Sequence, residues 1–432
     1  MSPVKTAPAR LTAGDAALRA QYLEEVLRLL YPEPCTTVAP LGSSGRIGAS
    51  RGSEPGTRSG KAPVVTEYVV VPDARRPRLL VPTRSRRVAA AAVRRYAEPQ
   101  SRIARLKRDA VIAALRTPGA ASVLLRHRVR ICGPADVTID GYLRQALGTD
   151  LVVSVHIGPA RANRKPVLQL IDPDGETLGF AKLGTGPLTR RLVRAETTAL
   201  NALSSHVGLR DVTVPRVLHS GEWRGHQVLV QSPLPVWRPR APLTAGRLTA
   251  AMREVAGCCG TSRSWLATSP YWAELRDRLD AVADRREGAT LGTAARSLVE
   301  RGGDVDLRYG AWHGDWSPWN MATLADTLLV WDWERFTTGV PLGFDAVHYE
   351  LQRRIQSTSD AGAAVEATLA VAPALLKPFE VTGSAARLTA LLYLVDLAAR
   401  YLTDRQAEAG ARLGVLGTWL LPVLVRRVED LA

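Results

Sequence analysis

HGDWSPWN occupies residues 313–320, and VWDWE follows at residues 330–334. Asp315 stands five positions before Asn320, and a second acidic residue, Asp332, ends a short apolar run. Phosphoryl transfer from Mg-ATP needs a carboxylate that accepts the proton of the acceptor hydroxyl, and hard oxygen ligands for the metal. Asp315 suits the first role, and Asn320 and Asp332 suit the second. The 17 residues from Asp315 to Asp332 leave room for a loop and two short strands that bring the chain back.

These two motifs resemble those of the aminoglycoside phosphotransferase and choline kinase-like families, which share the protein-kinase fold. The resemblance implies that the H-x-D-x-x-x-x-N loop and the D-x-E segment form a catalytic and metal-binding centre, with Asp315 and Asp332 as its acidic residues. It implies ATP as the phosphate donor and Mg²⁺ as the cofactor. It extends over residues 151–432, about two thirds of the chain.

Three neighbouring residues are expected to support this centre. GFDAVHYE, residues 343–350, resembles the helix start that follows the metal-binding aspartate in those families, where Asp345 would buttress the catalytic loop. We interpret His313 as a structural hydrogen-bonding residue rather than a catalyst. Two interpretations of Glu334 stay open, since it either contacts a metal or only orients the loop.

A kinase-like fold also needs a lysine on its third strand, held by a helix glutamate, to bind the ATP phosphates. Lys182 lies on the third predicted strand after residue 150, and Glu196 is the only acidic residue between Lys182 and Asp211. We therefore predict an ion pair between Lys182 and Glu196. The alternative is an ordinary surface ion pair.

The segment that would cover the nucleotide is Gly158–Lys165, which we call the covering segment. It has one glycine instead of a G-x-G-x-x-G pattern, so its phosphate contacts are less defined, and Arg161, Arg164 and Lys165 are the candidates. Gln231–Leu234, which follows the fifth strand, is the predicted hinge that binds adenine. Its nucleotide-binding residues would be Gln231 and Ser232.

The acceptor pocket is the least defined part of the predicted site. Five of the ten tryptophans lie between residues 312 and 333, and Trp316, next to Asp315, is a candidate for stacking on a sugar or cationic amine. Core packing beneath the loop is the alternative. Glu350 is a further candidate by position. Aminoglycosides, amino sugars, choline-like amines and sugars are all compatible acceptors.

The predicted fold class is α+β, with three parts. Residues 1–150 form a basic α/β extension with a Gly/Ser-rich linker at about residues 40–63. Residues 151–240 form a small five-stranded antiparallel N-lobe with one helix, and residues 241–432 form a larger, mainly helical C-lobe. Together the last two parts would form a two-lobed protein-kinase-like fold.

The net charge of +16 belongs to the front of the chain. Residues 73–130 hold 16 Lys and Arg but only 3 Asp and Glu. This Arg-rich region could bind an anionic surface or partner. It lacks the interleaved aromatic residues and recognition motifs of nucleic-acid binders, so nucleic acid is disfavoured. A solvated helix face is the simplest interpretation.

Other features narrow the class of protein. Four irregularly spaced cysteines suit buried thiols rather than disulfides or zinc ligands. Neither a secretory leader nor an uncharged apolar run of membrane-spanning length is evident, so we expect a cytoplasmic protein without a transmembrane segment. The expected function is ATP/Mg-dependent phosphorylation of a small-molecule hydroxyl. The alternative is a nucleotide-binding pseudokinase, or an interaction module that docks through its basic N-terminal region.

Overall fold

The computed structural model describes residues 13–38, 63–96, 102–117, 125, 127–158, 162–205, 208–411 and 413–431. Nearly all of the predicted linker, together with Arg161, lies outside these ranges. The described chain is α+β, as predicted, with its strands concentrated before residue 232 and its helices after residue 244.

The extension (residues 1–150) contributes four helices and four strands to the described fold. Helix α1 (Ala13–Leu30) has an apolar stripe that includes Leu23, Val26, Leu27 and Leu30, all of which are buried. Thr138 caps the last helix of the extension by accepting a hydrogen bond from the N–H of Gly141. The elements are α1 (Ala13–Leu30), β1 (Thr36–Val38), β2 (Val64–Val71), β3 (Leu79–Pro82), α2 (Arg86–Tyr96), α3 (Arg102–Arg116), β4 (Arg128–Cys132) and α4 (Ile139–Leu147).

The sheet segment (residues 151–240) contains six strands in its described residues, where five were expected. A turn at Asp172–Gly175 closes the hairpin between its second and third strands, with Gly175 at φ 85°. The one long helix follows the third strand. The elements are β5 (Val152–His156), β6 (Val167–Ile171), β7 (Thr177–Gly184), α5 (Pro187–Ser205), β8 (Val212–Thr213), β9 (Val217–Trp223) and β10 (His226–Gln231).

The two segments share one nine-stranded sheet, in the order β1-β4-β2-β3-β5-β6-β7-β10-β9. The junction is an antiparallel pairing of β3 with β5, which places Leu79 opposite His156 and Leu80 opposite Val155. The expected five-stranded sheet is therefore part of a larger one. The physical reason is that β5 would otherwise present an unpaired edge of N–H and C=O groups, which β3 satisfies.

Helices cover both faces of this sheet. On β10, Val228 and Val230 pack into the core that contains α1 and α4, whereas Leu229 packs into the core that contains α5. The side chains of a strand alternate between faces, so α5 lies opposite α1 and α4. Helix α2 packs on the face of β3 that carries Leu79 and Val81.

The Arg-rich region is built into this arrangement. Arg86, Arg87 and Arg94 of α2 are exposed, while Arg128 and Arg130 of β4 both donate to Glu67 of β2. The exposed face of α2 agrees with a solvated helix.

The helical segment (residues 241–432) places its strands between helices. In the described chain, its five short strands lie in two three-stranded sheets, and the third strand of one of these sheets is β8 of the sheet segment. Its elements are α6 (Ala245–Gly257), β11 (Ser262–Trp265), α7 (Pro270–Asp280), α8 (Arg286–Gly302), β12 (Asp306–Trp312), β13 (Met321–Thr323), β14 (Leu328–Val330), β15 (Thr337–Pro341), α9 (Phe344–Ser357), α10 (Ala361–Leu376), α11 (Gly383–Thr403) and α12 (Leu420–Glu429).

One helical stretch in the described residues, Ala361–Phe379, is long and apolar enough by composition to cross a membrane, with a mean hydropathy of 1.2. It carries Glu366, which pairs with Arg426 and Arg427 of α12. One such stretch is weak evidence for a membrane span.

Candidate active site

The predicted catalytic loop, residues 313–320, begins where β12 ends, at Trp312. Gly314 has φ 82°, and a Cβ atom placed there would lie 2.4 Å from the carbonyl oxygen of Arg335. Only glycine fits this close approach without strain. The N–H groups of His313 and Gly314 both donate to the carboxylate of Asp345, at 2.7 and 3.1 Å. Asp345 thus lies where a buttress to the loop was predicted.

Burial raises the pKa of Asp345 to about 7, against the opposing effect of these two hydrogen bonds. Asp345 lies in the first turn of α9, after Gly343. The helix therefore carries the carboxylate that holds the loop.

His313 uses both ring nitrogens within the loop. The N–H of Asp315 donates to its Nδ1 at 3.1 Å, so the proton sits on Nε2, which donates to the carbonyl of Trp331 at 3.1 Å. Burial lowers the pKa of His313 to about 4, so the ring is neutral near pH 7. These bonds join the catalytic loop to the segment before Asp332 and suit the structural role predicted for His313.

Asp315 is oriented from two sides and stays partly open, with 33% of its side chain exposed. Asn320 donates from Nδ2 to Asp315 Oδ2 at 2.9 Å. His348 Nε2 lies 3.3 Å from Asp315 Oδ1 and donates to it, while His348 Nδ1 accepts from the hydroxyl of Tyr393. Burial raises the pKa of Asp315, but the hydrogen bond from His348 and the charge of Arg400 outweigh it, so the pKa lies below its usual value.

Sequence reasoning missed three residues of this environment: His348, Tyr393 and Arg400. Arg400 donates to the carbonyl of Gly314. His348 lies three residues after Asp345, on the same face of α9. That spacing within GFDAVHYE was a signal that could have found it, whereas Tyr393 and Arg400 come from a distant helix.

The hairpin of β13 and β14 brings Asn320 and Asp332 together. Met321 pairs with Val330, and the N–H of Trp331 donates to the carbonyl of Asn320 at 3.0 Å. This is the return of the chain expected from the spacing. Asp332 has φ 73°, an unusual conformation for a non-glycine residue and one that often marks functional sites.

Lys182 of β7 joins the upstream and downstream parts of the site. Its Nζ donates to both oxygens of Glu196, at 2.6 and 2.7 Å, and to Asp332 Oδ1 at 2.8 Å. Lys182 and Glu196 are buried, whereas 29% of the Asp332 side chain is exposed. The ion pair of Lys182 and Glu196 therefore lies in the interior. The sequence alone had left an ordinary surface ion pair as the alternative.

Opposite charges set the ionisation of this cluster. Burial lowers the pKa of Lys182, but the charges of Asp332 and Glu196 outweigh it and raise the pKa. Burial likewise raises the pKa of Asp332, but Lys182 and Lys165 hold it below its usual value. Lys182 is a cation and Asp332 an anion at neutral pH.

Glu334 completes a cluster of carboxylates. Oxygen atoms of Glu196, Asp332 and Glu334 lie within 4.8 Å of one another. Asn163 donates to Glu334 at 3.0 Å, and Lys165 forms a buried ion pair with it. Carboxylate oxygens are the hard ligands that Mg²⁺ prefers, but Lys182 and Lys165 already bind these three groups, so a metal would share their oxygens with the lysines.

The covering segment and hinge are less regular than the catalytic loop. A Cβ at Gly158 would meet no atom of the described residues within 4 Å, and residues 159–161 are outside the description. At the hinge, the N–H of Ser232 donates to the carbonyl of Arg216 and is therefore not free for adenine. The buried Gln231 Oε1 has no hydrogen-bond donor among the described residues, so it can accept one from a ligand.

The structure corrects the expected acceptor pocket. Trp316 is fully buried and packs against His313, with ring centroids 5.8 Å apart, so its ring cannot stack on an acceptor in this conformation. Glu350 is paired with Arg353 and Arg354 of its own helix. Both residues stabilise the helical segment. The apolar ring of Trp316 is covered by the core, and the carboxylate of Glu350 is neutralised by arginines three and four positions further along its helix.

No protein-family model and no curated protein matches the chain. Among solved structures, it is similar to a putative fructosamine-3-kinase from Haemophilus somnus 129PT, at 13% identity and a TM-score of 0.40, over 68% of this chain and 96% of that one. Aminoglycoside phosphotransferase APH(4)-Ia gives 15% and 0.42, over 68% and 99%. Choline kinase LicA from Streptococcus pneumoniae gives 16% and 0.39, over 61% and 89%. At this identity and TM-score, the functional proposal rests on the chain's own residues.

Proposed function

We propose that this chain is an ATP- and Mg²⁺-dependent phosphotransferase that phosphorylates a hydroxyl group of a small molecule. The observation that carries the proposal is Lys182, whose Nζ contacts both Glu196 on α5 and Asp332 after β14. Lys182 and Asp332 thus meet although they are 150 positions apart. The carboxylate of Asp315 is oriented nearby by the amide of Asn320 and the imidazole of His348. These are the groups that a phosphoryl-transfer site needs.

Asp315 acts as the general base. Its lowered pKa keeps it ionised at neutral pH, so it can accept the proton of the acceptor hydroxyl. Asn320 and His348 hold one oxygen each, which aims the carboxylate. The exposed third of this side chain is where the hydroxyl would approach.

Lys182 supplies positive charge to the phosphates of the nucleotide, and Glu196 holds the lysine in place. Asn320 and Asp332 would hold the metal, with Glu334 as a neighbouring oxygen donor. A bound Mg²⁺ would neutralise charge on the phosphoryl group during transfer. Gln231, at the hinge, would contact the base of the nucleotide.

The acceptor class stays broad within this proposal. Because Trp316 is buried and Glu350 is paired, neither identifies a cationic acceptor. Sugars, amino sugars, choline-like amines and aminoglycosides all present the required hydroxyl.

A thermal-melt titration tests the nucleotide site. We expect ATP with Mg²⁺ to raise the melting temperature of the wild-type chain, since a ligand at 100 times its Kd adds about 2.7 kcal/mol to the free energy of unfolding. Asp332→Asn should lose the magnesium-dependent part of this shift. Asp326→Asn is the matched control, because Asp326 is exposed and pairs only with Arg238 in the described structure.

Release of ADP with a panel of hydroxyl acceptors then tests catalysis. No shift at millimolar ATP with Mg²⁺ would contradict the proposal. A magnesium-dependent shift without ADP release for any acceptor would favour the nucleotide-binding pseudokinase instead.

A further inference from the structure

The extension reaches the covering segment through one aromatic contact. The guanidinium carbon of Arg164 lies 3.6 Å from the centroid of the Tyr22 ring on α1. Tyr22 is buried, with 7% of its surface exposed. A guanidinium this close to an aromatic face, and shielded from water, forms one of the stronger cation–π contacts.

The residues on either side of Arg164 contact the helical segment instead of α1. Asn163 and Lys165 both bind Glu334, two positions after Asp332. Asn163 lies in a turn and Lys165 lies two residues before β6, so neighbouring side chains of this short segment reach different partners. Residues 163–165 therefore connect α1 on one side with the carboxylate cluster on the other.

We propose that Tyr22 is a positioning residue for nucleotide binding: it holds Arg164 so that Asn163 and Lys165 reach Glu334. The extension thereby becomes part of the catalytic unit rather than a separate docking module. This inference rests on the proposed function, because the ligand whose binding it affects is the nucleotide. Residues 163–165 are held by these side chains, in a covering segment that has a single glycine.

Two variants break the contact from opposite sides. Tyr22→Leu removes the ring from α1, and Arg164→Met removes the charge from the covering segment. We expect each to raise the KM for ATP roughly 3- to 30-fold, with a smaller change in kcat, because the catalytic base is untouched. The double variant should be no worse than the stronger single one, since both remove the same contact.

Tyr22→Phe keeps the ring and should restore wild-type affinity, which separates the cation–π contact from the hydroxyl. Arg28→Ala is the matched control on α1, because Arg28 is exposed and pairs with Glu24. Melting temperatures of all variants show whether they fold.

Hydrogen exchange provides a readout that needs no nucleotide. In Tyr22→Leu and Arg164→Met, we expect faster exchange in a peptide covering residues 162–171 and unchanged exchange in α11. Unchanged exchange in residues 162–171, or unchanged ATP affinity in folded variants, would overturn the inference. A wild-type chain that binds no ATP would instead refute the proposed function, so the two failures are distinguishable.

Discussion

The predicted catalytic loop and residues 163–165 of the covering segment both bind the chain at residues 331–334 but are held in different ways. The loop is held by hydrogen bonds from its own backbone to Asp345, and by the ring of His313, all within the helical segment. The covering segment is held by side chains, through Lys165 to Glu334 and Arg164 to Tyr22. Backbone anchoring leaves little freedom, whereas side-chain anchoring depends on partners from distant parts of the chain.

This difference explains which half of the site could be predicted from the sequence. The predicted catalytic loop and Asp332 lie within residues 313–332, and this spacing predicts the roles that we propose for them. The anchors of the covering segment lie more than 130 positions apart along the chain, at Tyr22, Arg164 and Glu334.

The largest expected effect is on the base. Asp315→Asn keeps the size of the side chain but cannot accept a proton, so we expect kcat to fall roughly 10²- to 10⁴-fold. Nucleotide binding should be spared, since Lys182 and Asp332 remain. Steady-state kinetics alongside an ATP melt shift measures both, and full activity in Asp315→Asn would show that another group is the base.

A matched pair of glycine substitutions compares the two regions directly. Gly314→Ala should lower the free energy of unfolding by at least ~2 kcal/mol, because φ 82° and the 2.4 Å approach to Arg335 leave no room for Cβ. Gly158→Ala should change it by less than about 0.5 kcal/mol, since its Cβ meets nothing in the described structure. Denaturant unfolding of both variants provides the measurement. Equal costs would mean that the covering segment is as tightly built as the catalytic loop.

Per unit of pH, a smaller effect than that of Gly314→Ala is expected from the titration of the loop anchor, Asp345. The pKa of Asp345 is about 7 in the folded chain, above its usual value, so the folded state binds the proton more tightly than the unfolded state. Its contribution to stability is present at low pH and is lost as the pH rises from about 4 to about 7. Relative to Asp345→Asn, the wild type should lose up to ~1.4 kcal/mol per pH unit in this window.

Denaturant unfolding of both proteins at several pH values tests this slope. A difference of opposite sign would show that the two N–H donors outweigh burial and keep the carboxylate ionised.

Local pattern predicted most of the elements. The strands β2 and β3 are β-branched and apolar runs bounded by turn residues, a pattern that favours strands. The one helix expected among the N-lobe strands corresponds to α5, where Leu192, Ala199, Leu200 and Leu203 form a buried apolar face. The pairing of β3 with β5 was not predictable, since which edge a strand joins depends on the packing of α1, α2 and α4 rather than on the strand itself.

The chemical groups could be identified from the order of residues alone: a carboxylate, an amide and a second carboxylate at fixed spacing, and a lysine whose acidic partner was found by elimination. The accessibility of the side chains followed from tertiary packing. This packing buried Trp316, paired Glu350, brought His348 to Asp315 and placed Tyr22 over Arg164. The reason is that spacing along a chain constrains neighbours, whereas burial and contacts between distant residues are set by how whole elements pack.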